Sequence, residues 1–197
     1  MVTRGGLRER KKQMTREAIE AAALDLFERQ GFDHTTVDEI AAEAGISPRT
    51  FFRYYESKEN VVLPDPRQRA EVANEALRAQ PPGPPQARLA AAMSHFARWI
   101  EEHDERAAAR ARIVRGHAAL VSRSLLHSSM AQDSLAVVLA ETEGRPTPEL
   151  RHRVLATTAV GVVVSATRHW RDEGQEAPLS DVVTRAFETL GWAGTSH

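Results

Sequence analysis

The chain has 197 residues, 42% of them hydrophobic, no cysteine and a formal net charge of −1. This length suits one compact domain or a small domain followed by a medium one, and the apolar fraction is enough for a buried core. The missing thiols exclude disulfides, thiolate metal sites and cysteine nucleophiles. The balanced charge argues against a protein that only coats nucleic acid.

Two features of the sequence indicate where in the cell the protein is expected. The longest nearly apolar stretch, Ala156–Ala166, is too short to span a bilayer and is interrupted by threonines. The N-terminus is charged, but no hydrophobic segment follows it as it would in a secretory signal peptide. We therefore expect a soluble, cytoplasmic protein with no membrane partner.

Basic residues are concentrated at the N-terminus. Six lysines and arginines against one glutamate give the first sixteen residues a formal charge of +5. We expect a short basic arm before the first helix, in which Arg8, Arg10, Lys11 and Lys12 reach phosphates or the minor groove. The alternative is a disordered, solvated tail; a tail that is disordered in the free protein and ordered on DNA would satisfy both.

The first predicted helix runs from about Thr15 to Gln30. Apolar residues recur along it at helical spacing, and Gly31 ends it. Its buried stripe is expected to consist of Ile19, Ala22, Ala23, Leu26 and Phe27. Its role is to support the two short helices that follow.

Those two helices lie between residues 36 and 58 and are joined by a tight turn. Thr36 and Glu39, three residues apart, form a capping-box pattern at the start of the first of these two helices. Gly45 supplies the positive φ that a sharp reversal needs. Ser47 can cap the second helix. The pattern predicts a helix-turn-helix.

The second of these helices separates aromatic from basic side chains. At about 100° per residue, Phe51 and Tyr55 point to one side. Arg49 and Arg53 point almost opposite. Arginine is suited to a bidentate contact with guanine, and recognition helices read the major groove mainly through their N-terminal residues. We expect Arg49, Thr50 and Arg53 to contact bases; the alternative is an ordinary solvated face.

The run TREAIEAAALDLFERQGFDHTTVDEIAAEAGISPRTFFRYYESKENVV resembles the DNA-binding domain of the TetR family of bacterial transcriptional regulators. The resemblance covers about residues 13–63. The matching features are Leu26-Phe27, Gly31-Phe32, Thr35-Thr36, Ala41, Gly45, Ser47, Thr50, the aromatic cluster 51–55 and Ser57-Lys58-Glu59. The resemblance implies a DNA-binding regulator.

The resemblance also implies contacts with the DNA backbone. Thr36, Tyr54 and Lys58, with Ser47 as a further candidate, match positions at which the family touches phosphates. Phe52 departs from the family pattern, because a tyrosine is common there. Without the hydroxyl a phosphate hydrogen bond is lost, and contact with a thymine methyl or simple packing replaces it.

Beyond Leu63 the chain is predicted to be helical with proline-rich breaks. Pro64 and Pro66 interrupt the fourth helix, as a hinge or as a static kink. A linker is expected at Pro81–Pro85. Further helices are expected at 66–79, 86–103, 107–117, 118–143 (one helix or two), 148–171 and 179–190. Thr147 is expected to cap the penultimate helix, with Pro148 at its first position.

The last two helices are predicted to form a homodimer interface. The first has small residues that permit close approach, and the second has an apolar face too wide for a lone surface helix. Helix-turn-helix proteins usually read two half-sites with twofold symmetry, and the TetR resemblance implies a four-helix interface. The candidate interface residues are Val154, Gly161, Ser165, Val183, Phe187 and Leu190. The alternative is that both faces are consumed by the domain's own core.

A ligand pocket is expected among the helices between Arg88 and Trp170. An aromatic and methionine-rich wall suits an apolar or amphipathic ligand. The candidates are Met93, Phe96, Trp99, Ile100, Ile113, His117, Leu120, Met130 and Trp170, each of which can equally be plain core. The segment SPRTFFRYYESKE resembles the mycofactocin-type regulators, whose C-terminal domains are described as binding acyl-CoA-like ligands. Arg110, Arg112 and Arg115 either attract an anionic head group or lie on the surface.

The sequence thus predicts an all-α protein of about nine helices. Residues 1–60 are expected to form a three-helix helix-turn-helix domain with a basic arm, and residues 61–197 a helical ligand-binding and dimerisation domain. The expected function is that of a repressor that binds a palindromic operator as a homodimer and is released by a small apolar or amphipathic effector. The alternative is a DNA-binding protein without an effector, whose C-terminal domain only dimerises.

Enzyme activity is not expected. The eight histidines are scattered, and no HExxH, GxSxG, phosphate-loop or dinucleotide-loop pattern is present. No cofactor and no metal is predicted. The expected partners are double-stranded operator DNA, a small-molecule effector and a second copy of the chain.

Overall fold

The computed structural model describes residues 4–104, 106–174 and 176–192. Within these ranges the chain forms ten helices and no strand, which confirms the all-α prediction and adds one helix to the expected nine. The helices are α1 (Arg4–Gln30), α2 (Val37–Glu43), α3 (Pro48–Tyr54), α4 (Lys58–Val62), α5 (Pro66–Arg78), α6 (Pro85–His103), α7 (Ala107–Arg115), α8 (Ala118–Thr142), α9 (Leu150–Asp172) and α10 (Leu179–Glu188). In the described part of the chain, no helix is both long and apolar enough to cross a membrane.

The helices divide into two compact units. The first unit runs to Pro64 and also contains Ala109–Val121, and the second contains Asp65–Ala108 and the chain from Ser122 onward. The first unit thus ends four residues after the expected border at residue 60, and it also takes in a later segment. Most of α7 and the first residues of α8 pack within the first unit, although they lie far along the chain.

Helix α1 carries the predicted buried stripe from Ile19 to Phe27 but begins at Arg4 instead of Thr15. The expectation of a non-helical arm over Arg8–Lys12 is therefore wrong. The hydroxyl of Thr15 donates to the carbonyl of Lys11 (2.9 Å), so this threonine continues the helix instead of capping it. Most of the preceding residues are arginine, lysine, glutamate and methionine, which are good helix formers.

A buried ion pair holds the first unit together. The Arg110 guanidinium, from α7, donates to Glu20 Oε2 on α1 (2.6 Å) and to the Val61 carbonyl on α4 (3.1 Å). The Tyr55 hydroxyl, just after α3, donates to the other oxygen of the same carboxylate. Burial, followed by the charge of Glu20, raises the pKa of Tyr55. The carboxylate thus connects α1 with α7 and with the residue that ends α3, and Arg110 extends the connection to α4.

The second unit is a helical bundle with α6 at its centre, packed against α5, α9 and α10. Its core is rich in alanine, which lets the helices approach closely, and larger side chains fill the remaining space. Fully or almost fully buried members are Leu89, Met93, Ala97, Leu135, Leu139, Ala156, Ala159, Leu179, Val183 and Phe187.

Two of the predicted helix boundaries beyond the helix-turn-helix can be judged directly. The break at Pro64 and Pro66 is confirmed, since α4 ends at Val62 and α5 begins at Pro66. The cap by Thr147 is wrong, because α9 begins at Leu150. His152, which is fully buried, instead accepts a hydrogen bond from the Glu149 amide through Nδ1 (2.8 Å) and satisfies that helix end.

The Arg110 ion pair generates a stability prediction. Arg110→Ala leaves the partly buried Glu20 carboxylate without its cation, so we expect the free energy of unfolding to fall by about 3 kcal/mol. The matched control is Arg112→Ala, on the same helix. Arg112 pairs with Glu28 at 2.6 Å, but both side chains are about half exposed, and we expect a loss below about 1 kcal/mol. Urea denaturation followed by circular dichroism measures both, and equal losses would contradict the assigned role of Arg110.

Candidate nucleic-acid interface

The first helix of the helix-turn-helix, α2, has the predicted capping box. The Glu39 amide donates to the Thr36 hydroxyl oxygen (3.2 Å), and Glu39 Oε2 accepts from the Thr36 amide (2.8 Å) and hydroxyl (2.9 Å). The backbone hydrogen bond from Thr36 is the main cause that lowers the pKa of Glu39. Gly45 follows the helix with φ +67°, which confirms its predicted place at the reversal.

The recognition helix, α3, begins as predicted at the Ser47 cap. The Thr50 amide donates to Ser47 Oγ (3.1 Å), and the two hydroxyls lie 2.9 Å apart. Pro48 occupies the first position, where no amide hydrogen is required. Because only one of the two hydroxyls donates in that pair, the proton of the other is available to an acceptor outside the protein.

Helix α3 has a buried back and an exposed front. Phe51 is fully buried and Tyr55 almost so, and both pack with α1 and α4 residues in the core of the first unit. Arg49 and Arg53 are exposed. The Arg53 guanidinium lies 5.3 Å from the Tyr54 ring centroid, which limits its freedom without covering it. The helix therefore presents two guanidiniums, one turn apart, to solvent.

Two of the residues expected to touch phosphates are engaged within the protein. Lys58 Nζ donates to the carbonyls of Phe32 (2.7 Å) and Thr35 (2.8 Å) and lies 4.5 Å from the Phe32 ring centroid. Thr36 uses its amide and hydroxyl protons on Glu39. In this conformation Lys58 closes the loop between α1 and α2 and does not present its ammonium to a phosphate.

Tyr54 and the basic end of α1 meet beside the recognition helix. A hydrogen bond with the Thr15 side chain is the main cause that lowers the pKa of Tyr54, and the charges of Arg53 and Lys12 add to it. The predicted arm residues Arg8, Arg10, Lys11 and Lys12 are all exposed along α1. Their positive charge is thus carried on a helix whose next turns pack under α3.

The nine predicted ligand-lining residues do not form one group. Ile113, His117 and Leu120 belong to the first unit, where Ile113 and Leu120 are buried in its core and the His117 ring lies 5.1 Å from that of Phe32. The others belong to the second unit. There Met93 and Ile100 are buried, Met130 is exposed, and Phe96, Trp99 and Trp170 are half-buried.

The predicted dimer residues divide in a similar way. Val183 and Phe187 are fully buried in the core of the second unit, so their assignment to an interface is wrong and the alternative of a core role holds for them. Val154, Gly161, Ser165 and Leu190 are exposed. The apolar face of α10 is wide because it packs on α6 and α9.

The roles of Glu20 and Arg110 were not predicted from the sequence. Arg110 was grouped with Arg112 and Arg115 as surface or ligand-attracting charge, yet it is buried. A signal was present: Arg110 lies three residues before Ile113, on the apolar stripe of its helix. The position of Glu20 offered no such signal, because its partners come from distant segments.

A capped helix-turn-helix with exposed arginines on its second helix, followed by a separate helical unit, defines a DNA-binding transcriptional regulator. Comparison with known families specifies it further. Residues 19–63 match the family described as bacterial regulatory proteins, tetR family, and residues 83–193 match the family described as the MftR C-terminal domain. The chain belongs to the TetR family, as the sequence resemblance predicted.

Named relatives extend over most of the chain. The HTH-type transcriptional regulator TcmR of Streptomyces glaucescens is 34% identical, covering 94% of this chain and 86% of the relative. The regulator MftR of Mycobacterium tuberculosis is 30% identical, covering 92% of each. Among solved structures, the fatty acid degradation regulator FadR of Bacillus halodurans aligns with a TM-score of 0.62 at 18% identity, over 93% of this chain and 97% of that one. FadR of Bacillus subtilis, in complex with stearoyl-CoA, has the same TM-score and identity, over 92% and 99%.

The internal hydrogen bonds of Lys58 predict that this residue stabilises the fold in the absence of DNA. Lys58→Met keeps the aliphatic chain but removes the charged donor, so we expect the free energy of unfolding to fall by about 2 kcal/mol. The salt dependence of operator binding should stay unchanged, because no phosphate contact is lost. The control is Lys12→Met on the exposed face of α1, which should leave stability unchanged and reduce the salt slope by about one. A reduced slope for Lys58→Met would support a phosphate contact instead.

Proposed function

We propose that the protein is a ligand-responsive repressor that binds a palindromic operator as a homodimer and is released by an apolar or amphipathic effector. The observation that carries the proposal is the recognition helix, with a buried aromatic back and the exposed Arg49 and Arg53, in a chain of the TetR family. The second candidate function is a DNA-binding protein in which the second unit only dimerises.

In this proposal Arg49, Thr50 and Arg53 read base edges in the major groove. The N-terminal position of Arg49 and Thr50 on α3 supports this, because that end of a recognition helix enters deepest. Ser47 and Tyr54 contact phosphates beside it, and Thr36 does so where a phosphate oxygen replaces Glu39. Arg8, Arg10, Lys11 and Lys12 add phosphate contacts from α1, which makes affinity strongly dependent on salt.

The effector is proposed to bind in the second unit and to be an acyl-CoA-like molecule. Support comes from the matched MftR C-terminal domain and from the fold shared with Bacillus subtilis FadR, whose structure contains stearoyl-CoA. Phe96 and Trp99, whose rings are stacked at 6.2 Å, and the half-buried Trp170 are the aromatic surfaces offered to an acyl chain. Met130 is exposed and adaptable, whereas Met93 and Ile100 support the site from the core. Release from the operator requires that the effector bind the DNA-binding conformation and the released conformation with different affinity.

The homodimer is proposed to form through the outer face of α9. Along that face Leu150 and Val154 are 78% and 54% exposed, and they are followed by the exposed Gly161, Val164 and Ser165. Exposed apolar and small residues at helical spacing favour a close helix-to-helix contact. Leu190, at 48% exposure, adds apolar area after α10.

Operator selection followed by effector titration tests the proposed function. Binding-site selection from random DNA with the full chain should yield a palindromic site. Stearoyl-CoA should then reduce binding to that site in a mobility-shift titration, whereas free coenzyme A should not. If a palindrome is selected but stearoyl-CoA does not reduce binding, the acyl-CoA-like effector is wrong. The second candidate function, in which the second unit only dimerises, is then favoured. Failure to select any sequence would overturn the proposal.

The dimer face generates its own prediction. A Cβ added at Gly161 meets no atom within 4 Å in the chain itself, so Gly161→Arg should fold normally. In the dimer the arginine would prevent close approach of two α9 helices. We expect a monomer by light scattering after size exclusion, and operator affinity at least tenfold lower, because one half-site alone is read. The control is Ala91→Arg at an exposed position on α6, which should remain dimeric; a dimeric Gly161→Arg variant would place the interface elsewhere.

A further inference from the structure

Phe52 is exposed on the recognition helix. Its side chain is 57% exposed, while its neighbour Phe51 is fully buried. Among the residues that the structure describes, Phe52 is the one phenylalanine, tyrosine or tryptophan that is exposed. Because the ring lies on the helix proposed to enter the major groove, it is a candidate contact with an apolar group on the base edges.

The Phe52 ring is held in place by the core beneath it. The rings of Phe51 and Phe52 are 5.6 Å apart at 86°, an edge-to-face contact. Because Phe51 is locked in the core of the first unit, this contact orients the exposed ring before any partner arrives. Pro48, one turn earlier, is also exposed and extends the apolar strip.

The surroundings of Phe52 identify the partner as DNA. The ring lies between Arg49 and Arg53 in sequence, and both guanidiniums are exposed. An apolar protein surface would have to desolvate these two charges, whereas the major groove accepts them as contacts with guanine or phosphate. The strip therefore continues the proposed DNA-reading face.

The major groove offers one apolar group to such a ring. Phenylalanine has no hydroxyl and cannot bond a phosphate oxygen, and the C5-methyl of thymine is the apolar feature on the base edges. Phe52 lies three residues after Arg49, about 4.5 Å along the helix. Successive base pairs are about 3.4 Å apart on each strand, so the methyl belongs to a base pair adjacent to the one that Arg49 contacts or one step beyond it.

We propose that Phe52 is a specificity-determining residue that reads a thymine methyl in each half-site, within two base pairs of a guanine bound by Arg49. The inference rests on the proposed function and adds a particular base preference to it. It predicts that recognition at this position depends on the methyl group and not on hydrogen bonding.

Replacement of thymine by deoxyuridine tests this directly, because it removes the methyl and leaves every hydrogen-bonding group. Each thymine of the selected operator is replaced in turn, symmetrically in both half-sites, and affinity is measured by fluorescence anisotropy at fixed salt. For the wild type we expect one position at which binding weakens roughly fourfold per half-site, the equivalent of about 0.8 kcal/mol for one buried methyl-sized group. For Phe52→Ala, binding to the thymine operator is weaker, and deoxyuridine causes no additional loss there.

Three further variants make the result specific. Phe52→Leu keeps an apolar contact and should retain part of the deoxyuridine penalty. Arg49→Ala should relax the nearby guanine preference while the penalty persists. Leu125→Ala removes an exposed apolar side chain (65%) from α8 and should behave as the wild type.

Several outcomes would overturn the inference. These are a penalty of equal size in Phe52→Ala, a wild-type profile with no sensitive thymine, or a selected half-site with no thymine near the guanine. If a palindrome is selected and only the deoxyuridine profile is flat, the inference fails and the proposed function stands. If no DNA sequence is selected, both fail.

Discussion

The Glu20 carboxylate helps to fix which face of α3 is exposed. Glu20 is bound at one oxygen by Arg110 from α7 and at the other by the Tyr55 hydroxyl just after α3. Tyr55 and Phe51 form the buried back of that helix. With the back held in this way, the helical period leaves Arg49 and Arg53 exposed, and the edge-to-face contact with Phe51 orients Phe52 beside them. The surface proposed to read DNA is therefore a consequence of packing and charge on the opposite side of α3.

Some polar side chains of the first unit are hydrogen-bonded within the protein, and others are exposed to solvent. Lys58 donates to the carbonyls of Phe32 and Thr35. Thr36 donates to the carboxylate of Glu39. Arg49 and Arg53 of α3 and Arg8, Arg10 and Lys11 of α1 are exposed, and they are the charges proposed to meet DNA. A chain with a formal charge of −1 can thus still present a locally positive surface, because acidic residues elsewhere balance the charge.

Features governed by neighbours in sequence were predictable. The Thr36 and Ser47 caps and the Gly45 reversal depend on residues within one helical turn, and each was found where expected. Features governed by distant partners were not. Thr15 can cap a helix or bond back to the preceding turn, and only the structure decides between these. The width of the apolar face on α10 was visible, but whether Phe187 packs in its own core or on a second subunit was not. The pocket candidates are divided between the two units, because apolar periodicity identifies buried faces and does not say which core each face joins.

The return of Ala109–Val121 to the first unit has a consequence for how the DNA-binding part is isolated. A fragment that ends at Pro64 contains the whole helix-turn-helix, yet it lacks Arg110, Ile113 and Leu120, which complete its interior. Glu20 would then face a partly apolar gap with no cation, and the support behind α3 would be incomplete. The compact unit that contains the helix-turn-helix is discontinuous in sequence, so a truncation at Pro64 would remove part of its core.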